Sequence, residues 1–269
     1  SKLIAANNFN EPSLYISVKK NINFWKNEFG GEIICNTALK VLKKSKIEKL
    51  KGFNDGNWWI QDFSAQLPIK FFGNIKNKKI LDLCAAPGGK TAQLVREGAY
   101  VTAIEISYKR AEILKRNLSR LGYLSKVKII IADALNWRSR EKFEGILIDA
   151  PCSATGTIRR NPDILLNKKE DDVKKMALLQ KNLLKASAEM ASHGSVIIYS
   201  NCSMQEEEGE QVVSYIKEKN LIKEFPISSK ELKNFPEIIL KKGSVRTLPY
   251  MLSNKGGIDG FFIARFIKN

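Results

Sequence analysis

Acidic residues stand near the ends of four successive segments that the sequence predicts to be strands of a parallel sheet. They are Asp82, Glu105, Asp133 and Asp149. A single acid at such a position is commonly a turn or helix-cap residue. Four in register indicate a binding edge, because open α/β sheets bind ligands at the carboxyl ends of their strands.

The first of these strands leads into a turn of small residues, Asp82-Leu83-Cys84-Ala85-Ala86-Pro87-Gly88-Gly89-Lys90-Thr91. Gly88 and Gly89 let the backbone approach a ligand closely. A helix that begins near Lys90 points its free N–H groups at the same place. The G-x-G-x-x-G pattern of dinucleotide oxidoreductases is missing from the turn. A phosphate-binding P-loop would need glycine where Cys84 stands, so that interpretation fails at its first glycine.

The acidic edge favours a ligand that carries ribose and adenine but no phosphates. Glu105 can accept hydrogen bonds from both ribose hydroxyls of an adenosine, and Asp133 is placed to accept one from an adenine amino group. A sulfonium cation suits this negative edge better than the phosphates of ATP do. We therefore expect S-adenosylmethionine as the cofactor.

Two of the four cysteines follow neighbouring predicted strands, Cys152 after the fourth and Cys202 after the fifth. Adjacent parallel strands would place both thiols at one end of the sheet, facing one cleft. A thiolate that adds to carbon 6 of a cytosine makes carbon 5 nucleophilic enough to take a methyl group, and a second thiol can assist the departure of the first. Free cysteines are more often inert packing residues, but the paired placement favours chemistry.

The alternation of β-branched runs and helical segments from residue 79 predicts a doubly wound, Rossmann-like α/β sheet. The predicted strands cover residues 79–83, 100–105, 126–131, 145–149 and 195–200, with a buried terminal strand over 260–267. The predicted helices begin near Lys90 and cover residues 107–121, 171–192 and 206–218. This pattern predicts one catalytic domain over residues 75–269.

Residues 1–74 differ in character and predict a small α+β module. Its predicted elements are strands over 14–18 and 32–35 and a helix over 21–29. Trp58 and Trp59 lie near the junction of the two domains. We interpret them as core or interdomain packing, with stacking on bases as the less favoured alternative.

Lys and Arg total 45 against 28 Asp and Glu, a formal net charge of +17, and such an excess attracts polyanions such as nucleic acid. The four cysteines form no CxxC pair and His193 is the only histidine, so we expect no metal and a reducing compartment. Neither a bilayer-spanning stretch nor a signal-peptide pattern is visible, so we expect no membrane partner. The chain opens on Ser1 instead of Met, which indicates a trimmed or processed sequence.

An ordered set of motifs through most of the chain resembles the Sun/Nop2 family of RNA cytosine-5 methyltransferases, and within it the bacterial RsmB-type ribosomal RNA enzymes. Besides the small-residue turn, the set comprises Ile60-Gln61-Asp62, Gln66, Asp149-Ala150-Pro151-Cys152-Ser153-Ala154-Thr155-Gly156, Ile158-Arg159-Arg160-Asn161-Pro162-Asp163, Tyr199-Ser200-Asn201-Cys202-Ser203, Leu248-Pro249 and Asp259-Gly260-Phe261-Phe262. Any one of these motifs is short, but the ordered set is highly specific.

The resemblance implies a role for each matching position. Cys202 matches the nucleophile, and Cys152 matches the second cysteine, which is linked to release of the methylated product. The implied cofactor contacts are Cys84, Ala85, Ala86, Pro87, Gly88, Gly89, Lys90, Glu105, Asp133 and Asp149. Asp149 also stands where it can touch the target cytosine. The resemblance further implies a class I methyltransferase fold and an RNA-binding role for residues 1–74.

The chain departs from the family pattern at Asn201, where Thr is usual, at Asn161, where His is usual, and at Gly209, where Asn is usual. None of these departures removes a reacting group. The N-terminal helical RNA-binding domain of NusB type that RsmB-type proteins often carry is not among the 269 residues. Arg159 and Arg160 follow the Cys152 loop, and we predict that they hold phosphates around a splayed-out nucleotide.

Three functions therefore remain from different classes. The preferred one is methyl transfer to carbon 5 of a cytosine in 16S ribosomal RNA by a cytoplasmic monomer, with transfer RNA as the alternative substrate. The second is a P-loop-type nucleotide hydrolase. The third is a non-catalytic RNA-binding ribosome assembly factor on a methyltransferase scaffold, which the presence of both Cys152 and Cys202 disfavours.

Overall fold

The chain folds around two β-sheets, one small and one large. The computed structural model describes residues 4, 11–43 and 45–269. Within them, residues 14–60 supply the small sheet and residues 79–267 the large one. Helix α2 (Phe63–Lys70) lies between the two in sequence, and the side chain of Asp62 caps it by accepting a hydrogen bond from Ser64 N at 2.9 Å. The boundary predicted between residues 74 and 75 falls in this connection and stays a prediction.

The small sheet is antiparallel, in the order β2-β3-β1-β4. Its strands are β1 (Leu14–Val18), β2 (Glu32–Cys35), β3 (Ala38–Val41) and β4 (Trp58–Ile60). Helix α1 (Ile22–Phe29) buries Trp25 and Phe29 against Trp58. Trp59 is buried as well, so the packing interpretation of both tryptophans holds. The sequence predicted β1, β2 and α1 but missed β3 and β4, which are too short to show a clear alternation.

The large sheet contains the predicted parallel strands, in the order β7-β6-β5-β8-β9. Their bounds are β5 (Lys79–Leu83), β6 (Tyr100–Glu105), β7 (Val127–Ile131), β8 (Phe143–Asp149) and β9 (Ala191–Asn201). The chain order reverses between β5 and β8, and this switch point is where doubly wound sheets bind ligands. The predicted Rossmann-like α/β fold is therefore confirmed.

Antiparallel strands extend the same sheet beyond β9, so the sheet is mixed. They are β10 (Lys223–Glu224), β11 (Ile239–Lys241), β12 (Ser244–Thr247) and β13 (Phe261–Ile267). The buried strand β13 pairs with β9 over residues 262–267 of its length and was the only one of the four that the sequence predicted. Strands β10 to β12 have two to four residues each, which again leaves too little pattern to recognise.

Helices cover both faces of the large sheet, apart from one short helix that buries no residue. They are α3 (Gly89–Arg96), α4 (Tyr108–Arg120), the short helix α5 (Ile164–Asn167), α6 (Glu170–Met190) and α7 (Glu210–Lys219). Helices α3 and α4 contribute to the core that also includes α2, whereas α6 and α7 contribute to the core on the opposite face. The predicted helix over 206–218 is in fact a 3₁₀ turn followed by α7. In the part of the chain that the structure describes, no helix meets the length and apolarity that a bilayer crossing requires.

Hydrogen bonds fix the small sheet to the catalytic domain. The Tyr15 hydroxyl donates to the carbonyls of Lys255 and Gly257 at 2.7 and 2.9 Å. The Arg96 guanidinium, on α3, donates to Ser17 Oγ and the Val18 carbonyl at 2.8 and 3.1 Å. These long-range contacts join the small sheet to the segments around the large sheet, and they hold it beside the ligand-binding edge.

Candidate active site

A cavity of about 450 Å³ opens at the carboxyl ends of β5, β8 and β9. Its walls include the small-residue turn, part of the segment 53–65, the start of β13 and Cys202. The lining residues that bear on function are Gln61, Asp62, Ala85, Pro87, Gly88, Gly89, Lys90, Asp149, Arg160, Cys202, Asp259 and Phe261. The volume lies within the range of small-molecule sites.

The small-residue turn needs its glycines. Gly88 has φ +104, and a Cβ there would lie 2.6 Å from Leu114 Cδ1. Helix α3 starts at the next residue, Gly89, whose missing side chain leaves room in the cavity. Cys84 and Ala86 belong to the turn without lining the cavity. Burial raises the pKa of the Cys84 thiol to about 12, which keeps this cysteine protonated and unreactive.

The four acids at the strand ends have different surroundings. Asp82 is fully buried, accepts a hydrogen bond from Thr91 Oγ1 at 2.6 Å, and has its pKa raised to about 7 by burial. Glu105 accepts from the backbone N–H groups of Ala86 and Ser107 at 3.3 and 3.1 Å. Asp82 is therefore a support of the turn, while Glu105 fixes the distance between the turn and β6.

The other two acids are more accessible. Asp133 accepts from Leu135 N and Asn136 Nδ2 at 2.9 and 2.7 Å, which shapes the turn that follows β7. Asp149 lines the cavity and pairs with Lys90, Nζ to Oδ2, at 2.8 Å. Lys90 is largely buried, and its ammonium also lies 4.8 Å from the centre of the Phe261 ring. The pair places opposite charges on the cavity wall beside Cys202.

The structure brings the two cysteines together. Their Sγ atoms are 3.4 Å apart, although 50 residues separate them in sequence. Cys202 lines the cavity, whereas Cys152 is behind it. The pKa of the Cys152 thiol is raised well above its ordinary value, first by its hydrogen bond with Cys202 and then by burial. The sulfur that faces the cavity is thus backed by a thiol that keeps its proton.

A buried polar cluster that the sequence interpretation missed supports both cysteine loops. Its centre is Glu208, which accepts hydrogen bonds from Ser153, next to Cys152, and from Gln180 on α6. Asn201, next to Cys202, donates to Tyr199 Oη and to the Glu208 carbonyl at 2.9 and 2.7 Å. The sequence signal for Glu208 is its place in the Glu207-Glu208 pair of the family pattern. The interpretation considered only the next residue, Gly209, which departs from that pattern.

The three departures from the family pattern fit this environment. Asn201 is part of the buried cluster just described. Asn161 donates from Nδ2 to Thr157 Oγ1 at 3.1 Å, within the loop that carries the two arginines. A Cβ at Gly209 would lie 2.5 Å from Arg246 Nη2, so the glycine lets Arg246 reach the Glu210 carboxylate at 2.6 Å.

Arg159 and Arg160 have different roles in the structure. The Arg159 side chain is 1% exposed and pairs with Asp62 at 3.0 Å and Asp259 at 3.2 Å. In this structure the Arg159 guanidinium is occupied by two carboxylates and faces no open surface, so its position gives the predicted RNA contact no support. The Arg160 side chain is 43% exposed, lines the cavity and pairs with Asp259 alone.

Asp62 and Asp259, which the sequence interpretation quoted only as parts of motifs, line the cavity and pair with the two arginines. Asp62 Oδ1 also accepts a hydrogen bond from the backbone N–H of Asp259 at 3.1 Å, across 197 residues of sequence. Burial raises the pKa of Asp259 to about 6. The two acids and two arginines form one ion-pair cluster that joins the small sheet, the Cys152 loop and the start of β13.

The residues present fit S-adenosylmethionine. The Glu105 side chain is 1% exposed; each carboxylate oxygen has one backbone donor and Oε2 also pairs with Arg110 at 3.5 Å, so a ribose hydroxyl would bind at the second lone pair of Oε1. The glycine turn admits close approach of a ligand, and the N-terminus of α3 adds free N–H groups. Asp149 is paired with Lys90 and Glu105 with Arg110, so Asp133 is the acid of this edge whose charge would complement a sulfonium. Among the described residues no cluster of His, Cys, Asp and Glu is arranged to hold a metal ion.

The mixed sheet, its switch point and the glycine turn define the Rossmann-like fold of the class I, S-adenosylmethionine-dependent methyltransferases. A methyltransferase homologue from Pyrococcus horikoshii superimposes with a TM-score of 0.78 at 25% identity, over 99% of this chain and 90% of the other. NSun6 from the same organism, solved with the S-adenosylmethionine analogue SFG, gives a TM-score of 0.71 at 27% identity, over 87% of this chain and 60% of the other.

The family model for 16S rRNA methyltransferase RsmB/F matches residues 72–267, and the chain belongs to this family. Ribosomal RNA small subunit methyltransferase B of Yersinia pseudotuberculosis is 33% identical over 240 residues, which are 87% of this chain and 52% of that protein. The chain thus spans about half the length of the curated relatives it matches.

Proposed function

We propose that this protein transfers a methyl group from S-adenosylmethionine to carbon 5 of a cytosine in RNA, with small-subunit ribosomal RNA as the substrate. The observation that carries the proposal is the pair of sulfurs: Cys202 Sγ on the cavity wall, with Cys152 Sγ 3.4 Å from it. Methyl transfer to an oxygen or an exocyclic nitrogen needs no thiol nucleophile, whereas carbon 5 of cytosine does. Membership of the RsmB/F family supports the same substrate class.

In the proposed reaction the Cys202 thiolate adds to carbon 6 of the base, and the electron pair of the C5–C6 double bond moves toward carbon 5. S-Adenosylmethionine supplies an electrophilic methyl group, which carbon 5 takes. The proton on carbon 5 then passes to water, the C5–C6 double bond re-forms, and Cys202 leaves carbon 6 with its electron pair. The Cys152 thiol lies within hydrogen-bonding distance of Cys202 Sγ. It stabilises the departing thiolate by donating a hydrogen bond to that sulfur.

Other residues bind and orient in this scheme. The turn from Cys84 to Lys90, with Glu105 and Asp133, holds the cofactor, and Asp149 contacts either the cofactor or the cytosine. Carbon 6 is inaccessible in a stacked base, so the target is unpaired or flipped into the cavity. Arg160 holds a phosphate at the entrance, and the module in residues 1–74 adds further RNA contacts. We place this activity in the cytoplasm, with the protein acting as a monomer.

Replacing the nucleophile tests the proposal most directly. Cys202→Ala is expected to reduce methyl transfer from labelled S-adenosylmethionine to unmodified small-subunit ribosomal RNA by at least about 10³-fold, since the step that activates carbon 5 is lost. Label is measured in isolated cytosines, with transfer RNA as a parallel substrate. Cys35→Ala, which changes a half-buried cysteine of the small sheet, is the matched control and should keep full activity.

Each result has a defined meaning. Equal activity of Cys202→Ala and the unmodified protein would refute the thiol mechanism. Label in transfer RNA but not in ribosomal RNA would correct the substrate. Cofactor binding without transfer to either RNA would favour the non-catalytic assembly factor.

A further inference from the structure

Glu208 combines complete burial with a carboxylate whose hydrogen-bond donors are neutral. Its Oε1 accepts from the backbone N–H of Ser153 at 2.8 Å and from Gln180 Nε2 at 3.0 Å, and its Oε2 accepts from the Ser153 hydroxyl. Gln180 Nε2 also donates to the Pro151 carbonyl at 2.8 Å. Ser153 is therefore hydrogen-bonded to the Glu208 carboxylate directly, and Pro151 is linked to it through Gln180.

The same residue is attached to the other cysteine loop through its backbone. The Glu208 carbonyl accepts from Tyr199 Oη at 2.5 Å and from Asn201 Nδ2 at 2.7 Å. Asn201 Oδ1 in turn accepts from the backbone N–H of Ser203, and Ser203 Oγ lies 3.0 Å from Ser153 Oγ. These contacts join the residues next to Cys152 and next to Cys202, so they fix the 3.4 Å between the two sulfurs.

A buried carboxylate without a cationic partner is costly compared with a neutral amide of the same shape. A glutamine at this position could accept from the same donors at Oε1, so holding the loops does not by itself require a charge. The charge lies close enough to Cys152 to disfavour a thiolate there, an effect that adds to the hydrogen bond with Cys202 and to burial. On the cavity side, Cys202 and Arg160 line the same wall.

We propose that Glu208 is a positioning residue that sets the distance between the two sulfurs and keeps the proton on Cys152, so that the thiolate forms on Cys202. This inference rests on the proposed methyl transfer for its purpose, but the two sulfurs can be probed without RNA or cofactor. Glu208 touches neither the base nor the methyl group; it acts through Ser153 and the Cys152 thiol.

The test is alkylation by iodoacetamide, with each modified cysteine quantified by peptide mass spectrometry between pH 6 and 10. Only a thiolate reacts. In the unmodified protein we expect Cys202 to react at lower pH than Cys152. In Glu208→Gln, Cys152 alkylation at pH 8 should rise about tenfold relative to Cys202, the change that one pKa unit produces. Glu206→Gln, an exposed acid in the same turn, is the matched control and should keep the original ratio.

Glu208→Asp retains the charge and should keep Cys152 slow to react. If Glu208→Gln and Glu206→Gln show the same ratio of the two modified cysteines, the proposal is overturned. If Glu208→Gln does not fold, the unmodified protein is the fallback: equal pH dependence for Cys152 and Cys202 overturns the proposal, because Cys152 then keeps its proton no better than Cys202 does. A protein that shows the expected alkylation pattern yet transfers no methyl group to RNA refutes the proposed function alone.

Discussion

The two halves of the candidate active site are held in place by different kinds of contact. In the cofactor half, Asp133 bonds to residues two and three positions away, and Glu105 bonds to Ser107 and Ala86, two and nineteen positions away. In the cysteine half, the contacts of Cys152, Ser153 and Arg159 span between 50 and 100 residues. Short-range contacts thus build most of the cofactor half, with the Lys90–Asp149 pair as a long-range exception, whereas the cysteine half exists only when distant segments have packed together.

This difference predicts where the fold is most sensitive to substitution. A local turn can form with few long-range contacts, so that changing one of its residues has a limited effect. A buried cluster of charges from distant segments loses several contacts at once, because each partner left behind is desolvated and unpaired. Substitutions in the cysteine half should therefore cost more stability than matched substitutions in the cofactor half.

The largest expected effect comes from Arg159. Arg159→Met leaves Asp62 and Asp259 buried without their shared cation, and we expect it to lower the free energy of unfolding by about 3–5 kcal/mol. Urea unfolding followed by tryptophan fluorescence measures the change. Arg160→Met, which alters a 43% exposed side chain in the same cluster, is the control and should cost about 1 kcal/mol or less. Equal losses for the two variants would contradict the burial argument.

The next largest effect on stability is expected at Asp82, in the cofactor half, and it depends on pH. The pKa of Asp82 is about 7 in the folded protein against 3.8 ordinarily, because of burial, so the folded state binds the proton more tightly. The contribution that protonated Asp82 makes to the free energy of unfolding is fully present below about pH 4. It is lost as the pH rises to about 7. We expect Asp82→Asn to gain roughly 3 kcal/mol relative to the unmodified protein between pH 4 and pH 7.5.

Chemical unfolding of Asp82→Asn and the unmodified protein at pH 4, 5.5 and 7.5 gives the comparison. Asp55→Asn, at an exposed position in the turn before β4, is the control and should follow the unmodified protein at each pH. A difference between Asp82→Asn and the unmodified protein that does not change with pH would show that Asp82 titrates normally.

The smallest expected loss of stability comes from substituting one of two glycines with positive φ. Gly88→Ala would force a Cβ to within 2.6 Å of Leu114 and should cost about 2 kcal/mol while weakening S-adenosylmethionine binding about tenfold. Gly122→Ala, with φ +66 and no atom within 4 Å of its Cβ, should cost about 1 kcal/mol and leave binding unchanged. Thermal unfolding and calorimetric titration separate the two effects. Unchanged cofactor affinity in Gly88→Ala would place the cofactor away from the turn.

The sequence predicted those features that depend on local pattern. Strands β5 and β6 have the predicted bounds, because each is a run of mostly buried residues that begins at an exposed residue and ends at a turn. The position of an acid at each strand end follows from the same periodicity, as does the placement of Cys152 and Cys202 just beyond β8 and β9. The cofactor turn could also be predicted from the sequence, since a glycine turn depends on the backbone freedom of the glycines themselves.

The sequence could not assign partners to charged residues that meet across the fold. Two adjacent arginines look alike in sequence, yet Arg159 is buried between Asp62 and Asp259 while Arg160 faces the cavity. The cluster around Glu208 was missed for the same reason. Strands β3 and β4 of the small sheet were missed because four- and three-residue segments are defined by pairing with β1 more than by their own composition.

The sequence by itself thus determined the α/β fold, the acidic edge and the presence of two cysteines at that edge, because periodicity and turn chemistry act over a few residues. The tertiary structure alone decided which sulfur faces the cavity, which arginine is available to a ligand and which carboxylate stands beside Cys152. These properties depend on burial and on distances between segments that are 50 to 200 residues apart, and no local pattern carries that information.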